Sequence, residues 1–219
     1  MRDLLIGNEF RRNRNMNNTI DYYNKHYDQF VSDTIDANMT FSYEQFLTKL
    51  HEGRESVSNN DLHILDLGCG SGRDTRYFLS LGYEVDAIDG SVEMVRIATE
   101  YTGTPVTCQT FQEMNMVDCY DGIWACASIL HAPKKDLPVI MQNICTALKD
   151  NGVCYVSVKY GSYEGYRNGR YYTDLNESEF EQLCSFTPNL DIEKLWISSD
   201  VRPGRSDEKW LNAILRKRV

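Results

Sequence analysis

Apolar and polar positions along the 219-residue chain alternate in two regimes. A short apolar run at residues 64–67 reads as a buried strand of a parallel sheet, and further strands are read at 83–89, 105–110 and 153–159, with a fourth strand and the loop leaving it at 120–131. Between them, apolar residues recur every three to four positions at 73–81, after Ser91, at 133–148 and at 176–184, which predicts helices. Two helices precede the first strand. One spans residues 19–37, with Ile20, Tyr23, Tyr27, Phe30, Val31 and Ile35 on one face, and the second spans 41–50. After the last helix come two strand-like runs, 190–198 and 210–215, joined by a polar turn. The segment 160–172, rich in Gly, Tyr and Arg, reads as a long loop at the carboxyl edge of the sheet.

Chemistry concentrates where the first strand ends, in Asp66-Leu-Gly-Cys-Gly-Ser-Gly-Arg73. A strand running through Gly68, Gly70 and Gly72 into a helix lets a ligand approach the backbone and aims N–H groups at negative charge. The dinucleotide fingerprint requires a third glycine five positions after the first. Arg73 stands there instead. A carboxylate at Asp66 would repel a pyrophosphate and suits a ligand ammonium. Asp89 closes the second strand, and an acid at that tip accepts the two hydroxyls of an adenosine ribose. The expected ligand therefore has an adenosine end and an amino-acid end.

At this point the chain resembles the class I S-adenosylmethionine-dependent methyltransferases, through Leu65 to Gly72, Asp89 and the segment 121–131. The resemblance implies a Rossmann-like seven-stranded sheet, mostly parallel, with a C-terminal antiparallel hairpin and helices on both faces. It implies one domain over residues 19–219 with lid helices at 19–52, and residues 1–18 are expected to be a disordered tail. S-adenosyl-L-methionine is the implied cofactor, with S-adenosyl-L-homocysteine as product. The residues carried over to it are Asp66, Gly68, Cys69, Gly70, Asp89 and Gly90, with Met94 lining the adenine side. Ala127 and Ser128 lie nearest the methionine part, and Arg73 is a candidate for its carboxylate. The family commonly has an acid after the third strand to bond the adenine amino group. Thr110 stands in its place, followed by Phe111, and this is a departure.

Methyl transfer requires alignment and exclusion of water, and a base only if the acceptor carries a proton. His131 sits where such a base belongs. Arg170 and Tyr171 in the segment 160–172 are candidates for the acceptor side, as are Lys159, Arg167, Arg202 and Arg205. The segment suits an anionic or aromatic acceptor.

Composition narrows the partners. A net charge of −9 argues against broad nucleic-acid binding. Neither Asn-Pro-Pro-Tyr nor Pro-Cys occurs, which weakens the DNA-base readings. Seven cysteines with no C-x-x-C pair suggest reduced thiols in a cytoplasmic protein, and no apolar run reaches the length of a membrane span. The expected function is methyl transfer to a small molecule. The alternatives are an RNA or protein methyltransferase, using the basic tail with Arg2, Arg11, Arg12 and Arg14, or a protein that binds the cofactor and transfers nothing.

Overall fold

The computed structural model describes the backbone of residues 2–219 and the side chains from Asn18 onward. The side chains of residues 1–17 of the expected tail lie outside the described residues. Helix α1 (Arg2–Thr34) bends at His26, whose φ of −124° and ψ of 24° are not helical. It is followed by α2 (Thr40–His51), β1 (His63–Leu67), α3 (Arg73–Ser80), β2 (Glu84–Asp89), α4 (Val92–Thr102) and β3 (Thr107–Cys108). Then come β4 (Tyr120–Cys126), α5 (Leu137–Ala147), β5 (Leu148–Lys159), β6 (Glu164–Arg167), β7 (Arg170–Thr173), α6 (Glu177–Ser185), β8 (Leu190–Ser199) and β9 (Lys209–Lys217).

Seven strands form one sheet in the order β3-β2-β1-β4-β5-β9-β8. The first five are parallel, and β9 runs antiparallel to both β5 and β8. Alternation along the strands divides the core in two. Leu65, Leu67, Ile123 and Ala125 pack with α5 and α6 on one face. Ile64, Trp124 and Tyr155 pack with Tyr43 and Phe46 of α2 and Phe78 of α3 on the other. Because the strand order reverses between β1 and β4, a crevice opens beyond their carboxyl ends, the usual ligand position in such sheets.

Two expectations change. The third strand shrinks from six residues to Thr107–Cys108, since it is the sheet edge and pairs only with β2. The segment 160–172 is not an open loop. It holds an antiparallel hairpin, β6 with β7, turning through Asn168 and Gly169, whose φ values are 49° and 81°. That is the left-handed pair a tight two-residue hairpin turn needs. Two of the expected helices start on side-chain caps: the Ser91 hydroxyl accepts the Met94 N–H, and Asn176 and Glu179 cap α6 reciprocally.

Candidate functional site

A cavity of about 340 Å³ opens at the carboxyl ends of β1, β2, β4 and β5. Of the fifteen residues expected to form the site, thirteen line it, and Asp66 and Tyr171 do not. Its floor is the turn after β1. Gly68, Gly70 and Gly72 have φ of 79°, 54° and 80°, a region that strongly favours glycine. Each also stands against a neighbour. A Cβ on Gly68 would come within 2.5 Å of Ser128 Cβ, and one on Gly72 within 2.8 Å of the Thr102 methyl. The Gly68 and Cys69 N–H groups donate to the Ile88 carbonyl, tying the turn to β2.

Asp89 ends β2 with its carboxylate on the cavity wall. One oxygen accepts the Gly70 N–H at 2.9 Å and the other accepts the Ser91 N–H at 2.8 Å. Burial raises its pKa against the opposing pull of those N–H groups and that of Gly90. A carboxylate has about four lone-pair sites, so two hydroxyl donors can still be accommodated. Across the crevice, Ala127 leaves β4 with a φ of 51°, and its N–H donates to the Ser157 hydroxyl at 2.9 Å. This left-handed residue costs about 1–2 kcal/mol, and it precedes Ser128, which stands over Gly68. The Ser128 hydroxyl is buried on the cavity wall without a protein partner. A turn that tolerates no side chain, an acid with spare lone pairs and an orphaned hydroxyl fit a ligand with an adenosine and an amino-acid end.

Three expected contacts are redirected. Arg73 turns Nε and Nη2 onto the Asp74 carboxylate at 2.7 and 2.8 Å and donates through Nη1 to the Thr34 carbonyl. Asp74 also accepts from Trp124 Nε1 and the Tyr43 hydroxyl. Arg73 is thus engaged within the protein and not free to take a ligand carboxylate. Asp66 lies under the turn because it shares the face of β1 that carries Ile64, not the edge that meets the cavity. It accepts from the Thr75 hydroxyl at 2.6 Å, and burial, then the nearby Asp74, raises its pKa. Thr110 lines the cavity, but its hydroxyl and N–H donate to the Glu113 carboxylate at 2.8 and 2.9 Å, which caps the turn Phe111–Glu113.

The roof is α1 with the β6–β7 hairpin. Ile20, Tyr23, Phe30 and Thr34 of α1 face the cavity at helical intervals, a spacing already present in the sequence. The Tyr23 hydroxyl lies 2.8 Å from His131 Nε2, and His131 Nδ1 lies 2.7 Å from the Tyr171 carbonyl. A carbonyl only accepts, so the Nδ1 proton is the one retained and Tyr23 donates to Nε2. Burial holds the His131 pKa down to about 4, with Arg170 and Arg167 adding to it and the Tyr171 carbonyl opposing. Tyr171 contributes backbone only. Alternation along β7 puts Arg170 and Tyr172 on the cavity wall and points the Tyr171 hydroxyl away, toward Glu164 at 2.8 Å.

At the far end, Lys159, Arg167, Arg170, Arg202 and Arg205 meet two carboxylates, Asp200 and Glu208. Asp200 is the hub. It accepts from Arg202 through a fork, from Trp210 Nε1 at 3.0 Å and from Lys159 at 3.3 Å. Burial alone would raise its pKa, but the Arg202 bonds outweigh this and hold it well below the carboxylate range.

Residues 64–152 match the sequence model of the methyltransferase domain family. Over that segment the chain is similar to a methyltransferase domain, and its sheet is that of the class I fold. S-adenosylmethionine is the methyl donor of that class. The methyltransferase sheet seen here recurs in solved structures. One is a 1,6-didemethyltoxoflavin-N1-methyltransferase from Burkholderia thailandensis, with bound 1,6-didemethyltoxoflavin and S-adenosylhomocysteine. It shares 21% identity over 92% of this chain and 91% of that one, with a TM-score of 0.60. A magnesium protoporphyrin IX methyltransferase from Synechocystis, with bound S-adenosylhomocysteine, shares 16% over 93% and 99%, with a TM-score of 0.65. A [4+2]-cyclase, SpnF, shares 18% over 84% and 85%, with a TM-score of 0.62. At these identities the likeness is one of fold. A search of curated proteins finds no match.

Proposed function

We propose that this methyltransferase transfers a methyl group from S-adenosylmethionine to a small-molecule acceptor enclosed between α1, the β6–β7 hairpin and the carboxyl edge of the sheet. The observation that carries the reading is the cavity. At about 340 Å³ it falls within the roughly 300–1,000 Å³ of small-molecule sites. Residues of α1 and the hairpin wall it opposite the sheet edge, so that a small acceptor would be held between them.

The donor supplies an electrophilic methyl group, and this chain's residues supply position. Asp89, the glycine turn and Ser128 hold one end, with Met94 and Phe111 alongside. His131 is neutral at pH 7, and its fixed tautomer obliges Tyr23 to donate to it. One lone pair of the Tyr23 oxygen accepts from Arg170 Nη1 at 3.4 Å, and the other is left to the cavity, where it can orient a donor group on the acceptor. With its pKa near 4, His131 is a weak base. The arrangement suits an acceptor atom that is already nucleophilic at neutral pH, with water excluded by the roof.

The test is calorimetric titration with S-adenosylhomocysteine and, separately, NAD, followed by a screen of small acceptors with labelled donor. Micromolar binding of the first alone, and label transfer to a small acceptor, support the reading. Binding of NAD instead sinks it. Tight binding of S-adenosylhomocysteine with no transfer to any acceptor favours a protein that, like the cyclase, uses the fold for something else.

A further inference from the structure

We infer that Arg170 is the seat for a carboxylate on the acceptor, bound edge-on through Nε and Nη2. The inference rests on the small-molecule reading and narrows it to a substrate class.

Four other arginines show how this chain satisfies guanidinium groups. Arg73, Arg202, Arg216 and Arg218 each turn the Nε side of the guanidinium onto a carboxylate: Asp74, Asp200, Glu193 and Asp191. Arg170 is held in place but has no such partner among the described residues. Its Nη1 donates to the Tyr23 hydroxyl at 3.4 Å. Its guanidinium carbon lies 5.0 Å from the Tyr22 ring centroid, 5.7 Å from that of Tyr23 and 5.4 Å from that of Tyr172. The nearby groups that interact with its charge are tyrosines, not acids. Nε is buried with no hydrogen-bond partner.

Ring faces stabilise a cation by a fraction of what a paired carboxylate does. A buried N–H left unmade costs about 1–3 kcal/mol. The arrangement is therefore complete only with an anion in the cavity. The choice of a carboxylate follows from geometry. The Nε and Nη2 donors lie in one plane and in a fixed fork that matches two carboxylate oxygens. The surroundings agree. In a chain of net charge −9, this end of the cavity gathers five cations against two acids, and the acids are already claimed by Lys159, Arg202 and Arg205. Arg167 is paired with Asp174. Among the described residues Arg170 is the cation left over, beside Tyr23 and His131.

The experiment titrates ¹⁵N-labelled protein, with and without S-adenosylhomocysteine, with benzoate, 3-phenylpropionate, phenyl phosphate and the neutral isostere benzamide. The Arg170 Nε–H resonance is assigned by its loss in Arg170→Lys. A carboxylate probe is expected to shift it saturably and benzamide to leave it unmoved. Arg170→Lys, which keeps the charge and loses the fork, is expected to weaken carboxylate binding at least tenfold while S-adenosylhomocysteine affinity stays within twofold. Equal response to benzamide, no saturable response to either carboxylate, or unchanged carboxylate affinity in Arg170→Lys overturns the inference. A tighter response to phenyl phosphate than to benzoate overturns the choice of carboxylate. Failure of S-adenosylhomocysteine to bind the wild-type protein overturns the donor reading and leaves the Arg170 titration to stand by itself.

Discussion

The Tyr23 hydroxyl and His131 Nε2, separated by 108 residues of sequence, lie 2.8 Å apart and join α1 to the turn that follows β4. Replacing Tyr23 with Phe leaves a buried ring nitrogen without its donor, a cost of about 1–3 kcal/mol. Turnover with an identified acceptor is expected to fall by about tenfold or more, with S-adenosylhomocysteine affinity nearly unchanged. Thermal unfolding, calorimetry and steady-state kinetics separate the three effects. An equal loss of donor affinity would move Tyr23 from the acceptor side to the donor side.

His131 also sets a pH dependence. Its folded pKa is about 4, below the unfolded value of roughly 6.5. The unfolded chain therefore takes up a proton that the folded chain refuses, and stability is lost as pH falls from about 6.5 toward 4. The shift corresponds to at most about 3 kcal/mol. Urea unfolding of wild type and His131→Gln across this range checks it. The stability advantage of wild type over the variant is expected to shrink on acidification, and a constant difference contradicts a neutral buried imidazole.

Gly68→Ala places a Cβ within 2.5 Å of Ser128 Cβ at a φ of 79°. Loss of measurable S-adenosylhomocysteine binding is expected, with the protein still folded. Adding Ser128→Gly relieves the contact but not the dihedral strain of about 1–2 kcal/mol, so partial recovery of binding is the expected outcome. No recovery would mean that the dihedral, or the lost Ser128 hydroxyl, outweighs the relieved contact, and Ser128→Gly alone separates the two.

Asp89→Ala removes the acceptor for the Gly70 and Ser91 N–H groups and for the ribose hydroxyls. Two hydrogen bonds to a charged group, at about 1.5–3 kcal/mol each, correspond to at least a hundredfold weaker S-adenosylhomocysteine binding. Calorimetry reads this directly. A change under tenfold would place the ribose elsewhere.

Asp74→Ala strands the Arg73 guanidinium, the Trp124 N–H and the Tyr43 hydroxyl together. Breaking a buried ion pair in this way destabilises by about 3–5 kcal/mol, a large part of the stability of an ordinary domain. Denaturant unfolding should show it. Asp74→Asn keeps acceptor capacity and is expected to lose less.

The parallel strands, the glycine turn, Asp89 and the terminal antiparallel pair were legible because each has a local cause: continuous apolar runs, a Gly spacing, an acid at a strand tip. What could not be read were relations between distant segments. Nothing local tells that Arg73 will pair with its own neighbour Asp74 and not with a ligand, since the pairing depends on Tyr43 and Trp124 closing around it. Tyr171 was placed on the wrong side because, without the turn at Asn168-Gly169, the phase of alternation along β7 is unknown. That dipeptide was the available signal. Asp66 was misplaced for the same kind of reason, since its face of β1 is set by what covers Ile64. Tyr23 lay in plain view on the Ile20–Phe30 face, but its partner could be found only in three dimensions.

Strand β9 (Lys209–Lys217) pairs with β5 on one side and β8 on the other, although every other strand precedes it in the chain. On a ribosome, β5 therefore emerges with one edge bare and waits about fifty residues for its neighbour. Val153 to Val158 of that strand are almost wholly enclosed in the finished protein, so the waiting edge is both apolar and unpaired, the profile of an aggregation seed. Since β8 and β9 are consecutive and joined by residues 200–208 alone, they can form as a hairpin and close the gap in one docking event. Completion of the sheet is thus a late step in biogenesis, and nascent chains arrested before Lys209 are the species most in need of a chaperone.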